Sequence, residues 1–339
     1  MKPDSAPAPD TGAGTNALVE NSRPVRRKRV PVHGVLLLDK PVGLSSNDAL
    51  IRVKRLLNAE KAGHTGTLDP FATGLLPLCF GEATKFSQDL LNADKTYETV
   101  VHLGISTDTG DTEGLPVITG DVVFTLEQIE AVLAQFRGPI AQVPPMYSAL
   151  KRDGKPLYEY ARAGITLERE ARQVQIHELT LLDYMAPYLT LRVTCSKGTY
   201  IRVLGEDIGR ALGCGAHLNA LRRTAVGTLV IDDAVALAAI ADEAEDLRLA
   251  RLAPIDALLS SFPIVTVDDE VAARFLNGQR ISLGKEGIAA PAEEGRVRVY
   301  RAGDGQLLGT AQIREFGVLG PERLVVAGRE LDGGQKKPA

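Results

Sequence analysis

Residues 63–74 concentrate turn-forming residues around a single carboxylate. They read GHTGTLDPFATG, in which three glycines and a proline surround Asp69. Glycine and proline punctuate regular structure, so this stretch predicts a loop between two ordered elements. Asp69 could belong to an ordinary Asp-Pro turn, or it could cap a helix that begins at Pro70. The density of special residues favours a third interpretation, in which the loop presents Asp69 for chemistry.

Hydrophobic patterning on either side of this loop mixes strands with helices. The predicted strands are residues 33–40, 97–103, 173–183 and 189–195. One predicted helix begins at residues 45–48, and three others cover residues 126–136, 200–212 and 232–252. Gly213 follows the third of these helices, where a glycine commonly ends a helix. This order of elements predicts an α/β (α+β) domain.

The pattern of residues along the chain changes after residue 252. Short alternating segments separated by Gly-rich turns then predict a small β-rich module. Its predicted strands are residues 262–267, 296–301, 306–313 and 323–326. The predicted boundaries are a disordered tail at 1–30, a main domain at 31–250, the β-rich module at 255–330 and a disordered tail at 331–339.

The N-terminal tail ends in a basic cluster. The cluster contains Arg23, Arg26, Arg27, Lys28 and Arg29. It is either a solvated, flexible tag or an electrostatic tether for RNA, and the sequence leaves both interpretations open.

The charge of the chain is unevenly distributed. The net charge is −4, but residues 140–223 carry 12 Lys and Arg against 8 Asp and Glu. Residues 231–270 carry 2 Lys and Arg against 10 Asp and Glu. Because phosphate groups respond to the local field, the acidic total does not exclude an RNA partner. Any RNA-binding surface is then expected to be a patch.

Several classes of protein are disfavoured by the composition. No apolar run reaches the roughly 18–20 residues that span a bilayer, and no secretory signal precedes residue 30. The three cysteines are widely spaced, which predicts neither a disulfide framework nor a zinc site. We therefore expect a cytoplasmic protein without a structural metal.

Long stretches of the chain resemble a known family. GHTGTLDPFATGLLPLCFGEATK, beginning at Gly63, is similar to the signature of the bacterial tRNA pseudouridine-55 synthases, the TruB family. The motifs KPVGLSSN (40–47), DKTYE (94–98), VPPMYSALK (143–151) and GKPLYEYARAG (154–164) resemble the same family. CSKGTYIRVLGEDIG (195–209) and CGAHLNALRRTAVG (214–227) complete the resemblance. The likeness covers about residues 31–230 and is weaker for the C-terminal module, which resembles a PUA domain.

The resemblance implies a fold and a reaction. The fold would be a mixed, mostly antiparallel sheet of the pseudouridine synthase type with helices, followed by the PUA-like module. The reaction would isomerise uridine 55 in the T-arm of tRNA to pseudouridine, without metal or organic cofactor. Because the target base is stacked in an RNA loop, the enzyme must flip it out.

The resemblance also assigns roles to individual residues. Asp69 would be the nucleophile and Arg202 its ionic partner, since a guanidinium grips a carboxylate with two hydrogen bonds. Tyr97 would stack on the flipped uracil, and His64 would take part in flipping. Tyr200 and Leu221 would contact the base or nucleotide.

A basic segment within residues 140–172 would close over the T-arm and grip the RNA, or it is an ordinary solvated loop. It contains Lys151, Arg152, Lys155, Arg162, Arg169 and Arg172. Single-stranded loops are bound through stacking and phosphate contacts, which suit a Pro-, Tyr- and Arg-rich segment. The expected partner is the tRNA T-arm stem-loop, with no membrane, no required protein partner and a monomeric state.

Three other functions compete with this prediction. A guide-dependent, dyskerin-like pseudouridine synthase shares the Asp loop and a PUA domain, but it lacks the GKPLYEYARAG form. A non-catalytic tRNA-binding or tRNA-folding protein could use the same motifs without turnover. A retaining glycosidase would need a second carboxyl about 5–5.5 Å from the first, and the Asp69 loop contains no other acid.

Overall fold

A computed structural model describes residues 28–325 of the chain. The predictions for residues 1–27 and 331–339 lie outside that range, as does most of the basic cluster. The helices are α1 (Ser46–Leu56), α2 (Ser87–Leu91), α3 (Leu126–Leu133), α4 (Leu157–Arg162), α5 (Ile201–Ala211), α6 (Leu237–Asp242), α7 (Glu245–Ala250) and α8 (Asp269–Leu276). None of these helices is long and apolar enough to cross a membrane.

The strands fall into one large sheet, a smaller C-terminal sheet and two hairpins. The first nine are β1 (Gly34–Lys40), β2 (Ala62–His64), β3 (Thr73–Phe80), β4 (Lys95–Leu103), β5 (Ile105–Thr107), β6 (Pro116–Thr119), β7 (Gly138–Gln142), β8 (Lys151–Arg152) and β9 (Lys155–Pro156). The next five are β10 (Arg172–Met185), β11 (Tyr188–Cys195), β12 (Ala216–Val226), β13 (Leu229–Val230) and β14 (Val235–Ala236). The last five are β15 (Ile264–Val267), β16 (Ile281–Ser282), β17 (Gly295–Arg301), β18 (Leu307–Arg314) and β19 (Val318–Leu324).

The large sheet has the predicted mixed and mostly antiparallel character. Its strand order is β14-β1-β3-β12-β4-β11-β10-β7, with β13 paired to β12 and β2 paired to β3. The β1–β14 and β3–β12 pairs are parallel, whereas the other pairs are antiparallel. The predicted fold class is therefore confirmed. The β3–β12 contact joins the Asp69 loop region to the second half of the domain.

Local sequence signals explain where the main helices begin and end. The Ser45 side chain accepts a hydrogen bond from the Asp48 backbone N–H, so α1 begins where the cap pattern predicts. Thr125 and Gln128 form a capping box at the start of α3. After α5, Gly213 has φ +80°, a left-handed conformation that glycine adopts without strain. The apolar faces of these helices and the large sheet enclose the main hydrophobic core.

The single helix predicted over 232–252 is wrong, because the chain breaks it into α6 and α7. The break allows Arg248 on α7 to donate hydrogen bonds to the carbonyls of Ile240 and Ala241 at the end of α6. The same guanidinium reaches the carbonyl of Leu56, the last residue of α1. Carbonyls at helix ends lack intrahelical partners, and one arginine satisfies them for two helices.

The C-terminal module contains more than the predicted strands. Its five-stranded sheet has the order β15-β17-β18-β19-β16 and encloses a hydrophobic core of its own together with α8. The sequence prediction missed α8, whose N-terminus is capped by the Asp268 side chain on the Val271 N–H. The module contacts the main domain through an Arg296–Asp89 ion pair and a hydrogen bond from Lys85 to the Leu324 carbonyl. The domain boundaries given above remain predictions.

We predict that Gly74→Ala destabilises the fold by about 2 kcal/mol or more. Gly74 has φ +100°, and a Cβ there would lie 2.3 Å from the Arg223 carbonyl oxygen. The matched control is Gly63→Ala, where an added Cβ meets no atom within 4 Å. The control should change the free energy of unfolding by less than about 0.5 kcal/mol. Urea unfolding of both variants measures the difference, and equal effects would contradict the close strand packing at Gly74.

Candidate active site

The Asp69 loop connects β2 to β3. The backbone N–H of Ala72 donates to the Asp69 carbonyl over 3.1 Å, closing a turn at Pro70. No helix begins at Pro70, so the helix-cap interpretation is wrong and the turn interpretation is correct. The loop therefore carries the carboxylate on a tight turn between two strands of the large sheet.

Hydrogen bonds from the KPVGLSSN motif (40–47) support this loop. The buried Ser46 hydroxyl accepts a hydrogen bond from the Leu68 N–H at 2.7 Å and donates to the Leu68 carbonyl at 3.0 Å. The fully buried Lys40 ammonium donates to the carbonyls of Pro41 and Leu44. The Gly43 N–H donates to the Pro70 carbonyl at 2.8 Å. These bonds fix the backbone on both sides of Asp69.

Arg202 forms an ion pair with Asp69, with 3.0 Å between Nη2 and the Asp69 Oδ2. Its side chain is 5% exposed, whereas the Asp69 side chain is 37% exposed toward the cleft. Arg202 also donates to the carbonyls of Thr109 and Tyr147 and lies 3.6 Å from the buried Asp111 carboxylate. The guanidinium is therefore fixed in place before any substrate binds.

The surroundings of Asp69 shift its pKa in opposing directions. Burial raises the pKa of the carboxyl above its ordinary value, and the Arg202 charge is the largest influence that lowers it. The Asp111 carboxylate adds to the rise. The net shift is upward, so Arg202 limits the rise without abolishing it.

A cleft of about 350 Å³ opens above the Asp69 carboxylate. Its walls come from the Asp69 loop, β4, the 140–172 segment, the start of α5 and β12. The residues that line it include Asp69, Lys95, Tyr97, Ser148, Leu150, Tyr200, Arg202, Leu221 and Arg223. Asp69, Tyr97, Tyr200, Arg202 and Leu221, five of the residues singled out from the sequence, thus meet in one place.

The three uncharged members of that group are held by the strands and helix that carry them. Tyr97 is 9% exposed on β4, and burial raises the pKa of its hydroxyl. Leu221 is 7% exposed on β12 and accepts a hydrogen bond from Thr73 through its carbonyl. Tyr200 immediately precedes α5, and the amide of buried Gln142 donates to its carbonyl and accepts from its N–H.

The remaining predicted residues lie outside the cleft. His64 is at the end of β2, half-buried, with no hydrogen-bond partner for Nδ1 in residues 28–325. Burial lowers its pKa, which favours the neutral imidazole. Lys151, Arg152 and Lys155 are exposed on the β8–β9 hairpin, and the exposed Arg162 stacks on Tyr158 in α4. All four basic residues lie within the twelve residues that follow the Ser148–Leu150 wall of the cleft.

Sequence reasoning missed several residues that shape the site. Asp111 is the second carboxylate on Arg202, and Gln142 fixes Tyr200, but neither stands in a motif that the resemblance singles out. Lys40, Ser46 and Arg223 do stand in quoted motifs, without an assigned role. A charged or polar residue inside an apolar context, such as Lys40 after GVLLLD, is the signal that could have found them.

No group of three or more His, Cys, Asp or Glu side chains within residues 28–325 is arranged to hold a metal ion. The three cysteines are free thiols and are all buried.

Three segments of the chain match known protein families. Residues 54–201 match the TruB family pseudouridylate synthase N-terminal domain. Residues 202–260 match the tRNA pseudouridylate synthase B C-terminal domain, and residues 263–325 match the pseudouridine synthase II TruB C-terminal domain. Together these matches cover the C-terminal sheet and every strand of the large sheet except β1.

Curated and solved relatives agree with these matches. The chain is 64% identical over 305 residues to a tRNA pseudouridine synthase B of Burkholderia mallei (strain ATCC 23344), which covers 89% of this chain and 97% of that protein. It is 62% identical over 308 residues to a tRNA pseudouridine synthase B of Cupriavidus metallidurans, covering 90% and 98%. Among solved structures, a chain of a Cbf5-Nop10-Gar1 complex superposes with a TM-score of 0.68 at 28% identity, covering 86% of this chain and 84% of that one. The chain therefore belongs to the TruB family of pseudouridylate synthases.

Proposed function

We propose that the chain converts uridine 55 in the T-arm of tRNA into pseudouridine, with Asp69 as the nucleophile. The observation that carries the proposal is a carboxylate paired with a buried arginine and facing a cleft of about 350 Å³. Membership of the TruB family supports tRNA pseudouridylation as the general activity. The position of the target uridine and the role of Asp69 are the further steps of the proposal.

The reaction breaks the N-glycosidic bond, rotates the uracil and forms a C–C bond to the same ribose. Asp69 would attack either the ribose C1′ or the pyrimidine C6, and both routes need an ionised carboxylate. The Arg202 guanidinium favours that charged form and aims the carboxylate through its three other fixed contacts. The turn at Pro70 keeps the backbone of the nucleophile from moving.

The cleft walls supply a place for a flipped base. Tyr97 would stack on the uracil ring, since aromatic faces bind extruded bases. Leu221 and Tyr200 would contact the base and its nucleotide from the two neighbouring walls. Tyr97 and Leu221 lie on paired strands, and Gln142 fixes the backbone of Tyr200, so the backbone of the pocket is formed before the RNA arrives.

Flipping and gripping are assigned to the residues outside the cleft. His64 would help to displace the base, and its lowered pKa keeps the ring neutral and able to stack. Lys151, Arg152, Lys155 and Arg162 would bind RNA phosphates, because all four are exposed and belong to the segment whose residues Ser148–Leu150 line the cleft. The 140–172 segment would close over the T-arm when the RNA binds.

We further propose that the protein acts as a cytoplasmic monomer on bare tRNA, without a guide RNA or protein partner. The solved Cbf5 structures share its fold but only 26–28% of its sequence, whereas the curated tRNA pseudouridine synthase B relatives share 61–65%. Purified protein acting alone on tRNA separates this proposal from a guide-dependent activity.

Asp69→Asn is predicted to abolish tritium release from C5 of the target uridine in an unmodified T-arm RNA. Loss of a nucleophile costs on the order of 10⁴-fold or more in rate. RNA affinity should change little, because the variant keeps the shape of the side chain. Asp183→Asn, on the exposed part of β10, is the control and should release tritium at the wild-type rate. Release by Asp69→Asn at the wild-type rate would show that Asp69 is not the nucleophile. No release by either protein, despite tight RNA binding, would favour a non-catalytic role in tRNA folding.

Arg202→Met is predicted to move the acidic limb of the pH profile of kcat/KM to higher pH. The Arg202 charge lowers the pKa of Asp69, so its removal raises that pKa and ionisation then requires more alkaline conditions. Asp111→Asn gives the opposite expectation, since the Asp111 charge raises the pKa of Asp69. Limbs that move in the same direction in both variants would contradict this electrostatic account.

Binding of a T-arm RNA is predicted to protect residues 150–172 from limited proteolysis. The exposed β8–β9 hairpin and α4 offer cleavable sites in the free protein, and closure over RNA would cover them. Trypsin digestion followed by mass spectrometry of the fragments, with and without RNA, measures the protection. A cleavage rate at Lys151, Lys155 and Arg162 that RNA leaves unchanged would contradict closure.

A further inference from the structure

Arg223 is a buried cation at the back of the cleft whose charge the fold leaves unpaired. Its side chain is 1% exposed, and its Nε donates to the Leu75 carbonyl at 2.8 Å. Nη1 lies 3.5 Å from the Thr67 carbonyl in the Asp69 loop. Nη2 is buried and makes no well-aligned hydrogen bond within residues 28–325. The neutral Tyr97 hydroxyl neighbours the guanidinium, and the Arg223 charge opposes the rise that burial causes in the pKa of that hydroxyl.

No carboxylate within the described part of the chain forms an ion pair with Arg223. The nearby Arg202 is different, because Asp69 and Asp111 both lie within 4 Å of it. A buried charge without a counter-ion costs several kcal/mol of folding free energy. Such a cost is retained where the charge serves a reaction or a ligand.

The same part of the cleft holds further positive charge. Lys95 also lines the cleft, and burial, followed by the Arg223 charge, lowers the pKa of its ammonium to about 8. Asp69 is the sole acid among the residues that line the cleft, and Arg202 already pairs with it. The cleft therefore contains cationic side chains that can balance negative charge on a bound substrate, or charge that forms on it during the reaction.

Arg223 stands where the uracil would lie. It is the direct cross-strand partner of Tyr97 in the antiparallel β12–β4 pair, and both residues line the cleft. Side chains at such opposed positions have Cβ atoms about 4.5–5.5 Å apart. If Tyr97 stacks on the flipped base, the Arg223 charge lies next to the ring.

Either route of the isomerisation places negative charge on that ring. Attack of the Asp69 carboxylate at C1′ forms a C1′–O bond and breaks the C1′–N1 bond, and the electron pair passes to N1, O2 and O4 of the uracil. Attack at C6 forms a C6–O bond, and the electrons of the C5–C6 double bond move through C4 onto O4. On the first route, C5 then attacks C1′ and the C1′–O bond breaks. On the second, the C1′–N1 bond breaks, C5 bonds to C1′ and the C6–O bond breaks. On both routes, loss of the C5 proton to solvent and protonation of N1 leave a neutral ring and a free carboxylate.

We propose that Arg223 stabilises the anionic uracil of this reaction electrostatically, whichever carbon Asp69 attacks. The proposal rests on the proposed function. A fixed charge in a water-excluded site acts strongly on charge that develops during a reaction. The cost of burying Arg223 without a carboxylate is then offset in the transition state, where the uracil oxygens provide the missing negative charge.

The test compares uridine with 5-fluorouridine at the target position of a T-arm RNA, in single turnover with excess enzyme. Fluorine withdraws electrons from the ring, so 5-fluorouracil carries negative charge more readily and depends less on external stabilisation. Consumption of each nucleoside is followed after digestion of the RNA, for wild type, Arg223→Met and Arg223→Lys. The matched control is Arg222→Met, at the next position of β12, where the side chain pairs with Asp39 away from the cleft.

Arg223→Met should slow consumption of uridine by about 10²–10³-fold, the usual effect of removing one group that stabilises an anion. It should slow consumption of 5-fluorouridine by a clearly smaller factor. The affinity for the RNA should stay within about threefold of wild type, because Arg223 acts on the developing charge and not on binding. Arg223→Lys keeps the charge and should retain the wild-type ratio of the two rates, and Arg222→Met should match wild type on both substrates.

Equal slowing of both substrates by Arg223→Met, or no slowing of either, would overturn the proposal. If Arg223→Met does not fold, as a thermal melt would show, Arg223→Gln replaces it, because its amide removes the charge and can still donate to the Leu75 carbonyl. A larger slowing of uridine than of 5-fluorouridine by Arg223→Gln supports the proposal, and equal slowing or none overturns it. Wild-type protein that consumes neither substrate would instead contradict the proposed function, so the two failures are distinguishable.

Discussion

The ion pair between Asp69 and Arg202 is the interaction on which the arrangement of the site depends. The two residues are far apart in the sequence, and their side chains meet only because α5 begins next to the turn between β2 and β3. Arg202 could not hold this position through Asp69 alone, since the carboxylate is partly exposed. The carbonyls of Thr109 and Tyr147 and the Asp111 carboxylate fix the guanidinium from the other side.

Buried polar groups fix the backbone of the Asp69 loop, as the carbonyls and Asp111 fix Arg202. Ser46 satisfies both backbone groups of Leu68, and Lys40 donates to carbonyls in the first turn of the KPVGLSSN segment. Each of these bonds removes a freedom that a loop would otherwise have. The result is a carboxylate on a rigid support, which the proposed role of Asp69 as a nucleophile requires.

The sequence alone predicts the elements that depend on local patterns. The helix start at Ser45, the β10–β11 pair and the closure of α5 at Gly213 follow from caps, alternation and glycine conformation, and all three are present. The split of 232–252 into two helices could not be predicted, because Arg248 acts through the carbonyl of Leu56, nearly 200 residues away. The helix α8 was missed because its eight residues lie among strands, although Asp268 is a recognisable cap.

The residues of the candidate site likewise fall into those that the sequence identifies and those that only the structure shows. Motif resemblance identifies Asp69, Arg202, Tyr97, Tyr200 and Leu221, and the fold brings these five into one cleft. His64 is close in sequence but is placed on β2, outside the lining of the cleft. Asp111, Gln142 and the unpaired charge of Arg223 become visible only when distances and burial are known, because their partners come from other strands and loops.

The most direct test of the account is to map pseudouridine in a full-length, unmodified tRNA after treatment with the purified protein alone. Chemical labelling of pseudouridine followed by primer extension locates the modified nucleotide. The account predicts modification at uridine 55 and at no other uridine, without guide RNA or added protein. An unmodified tRNA, or modification at a different position, would contradict it.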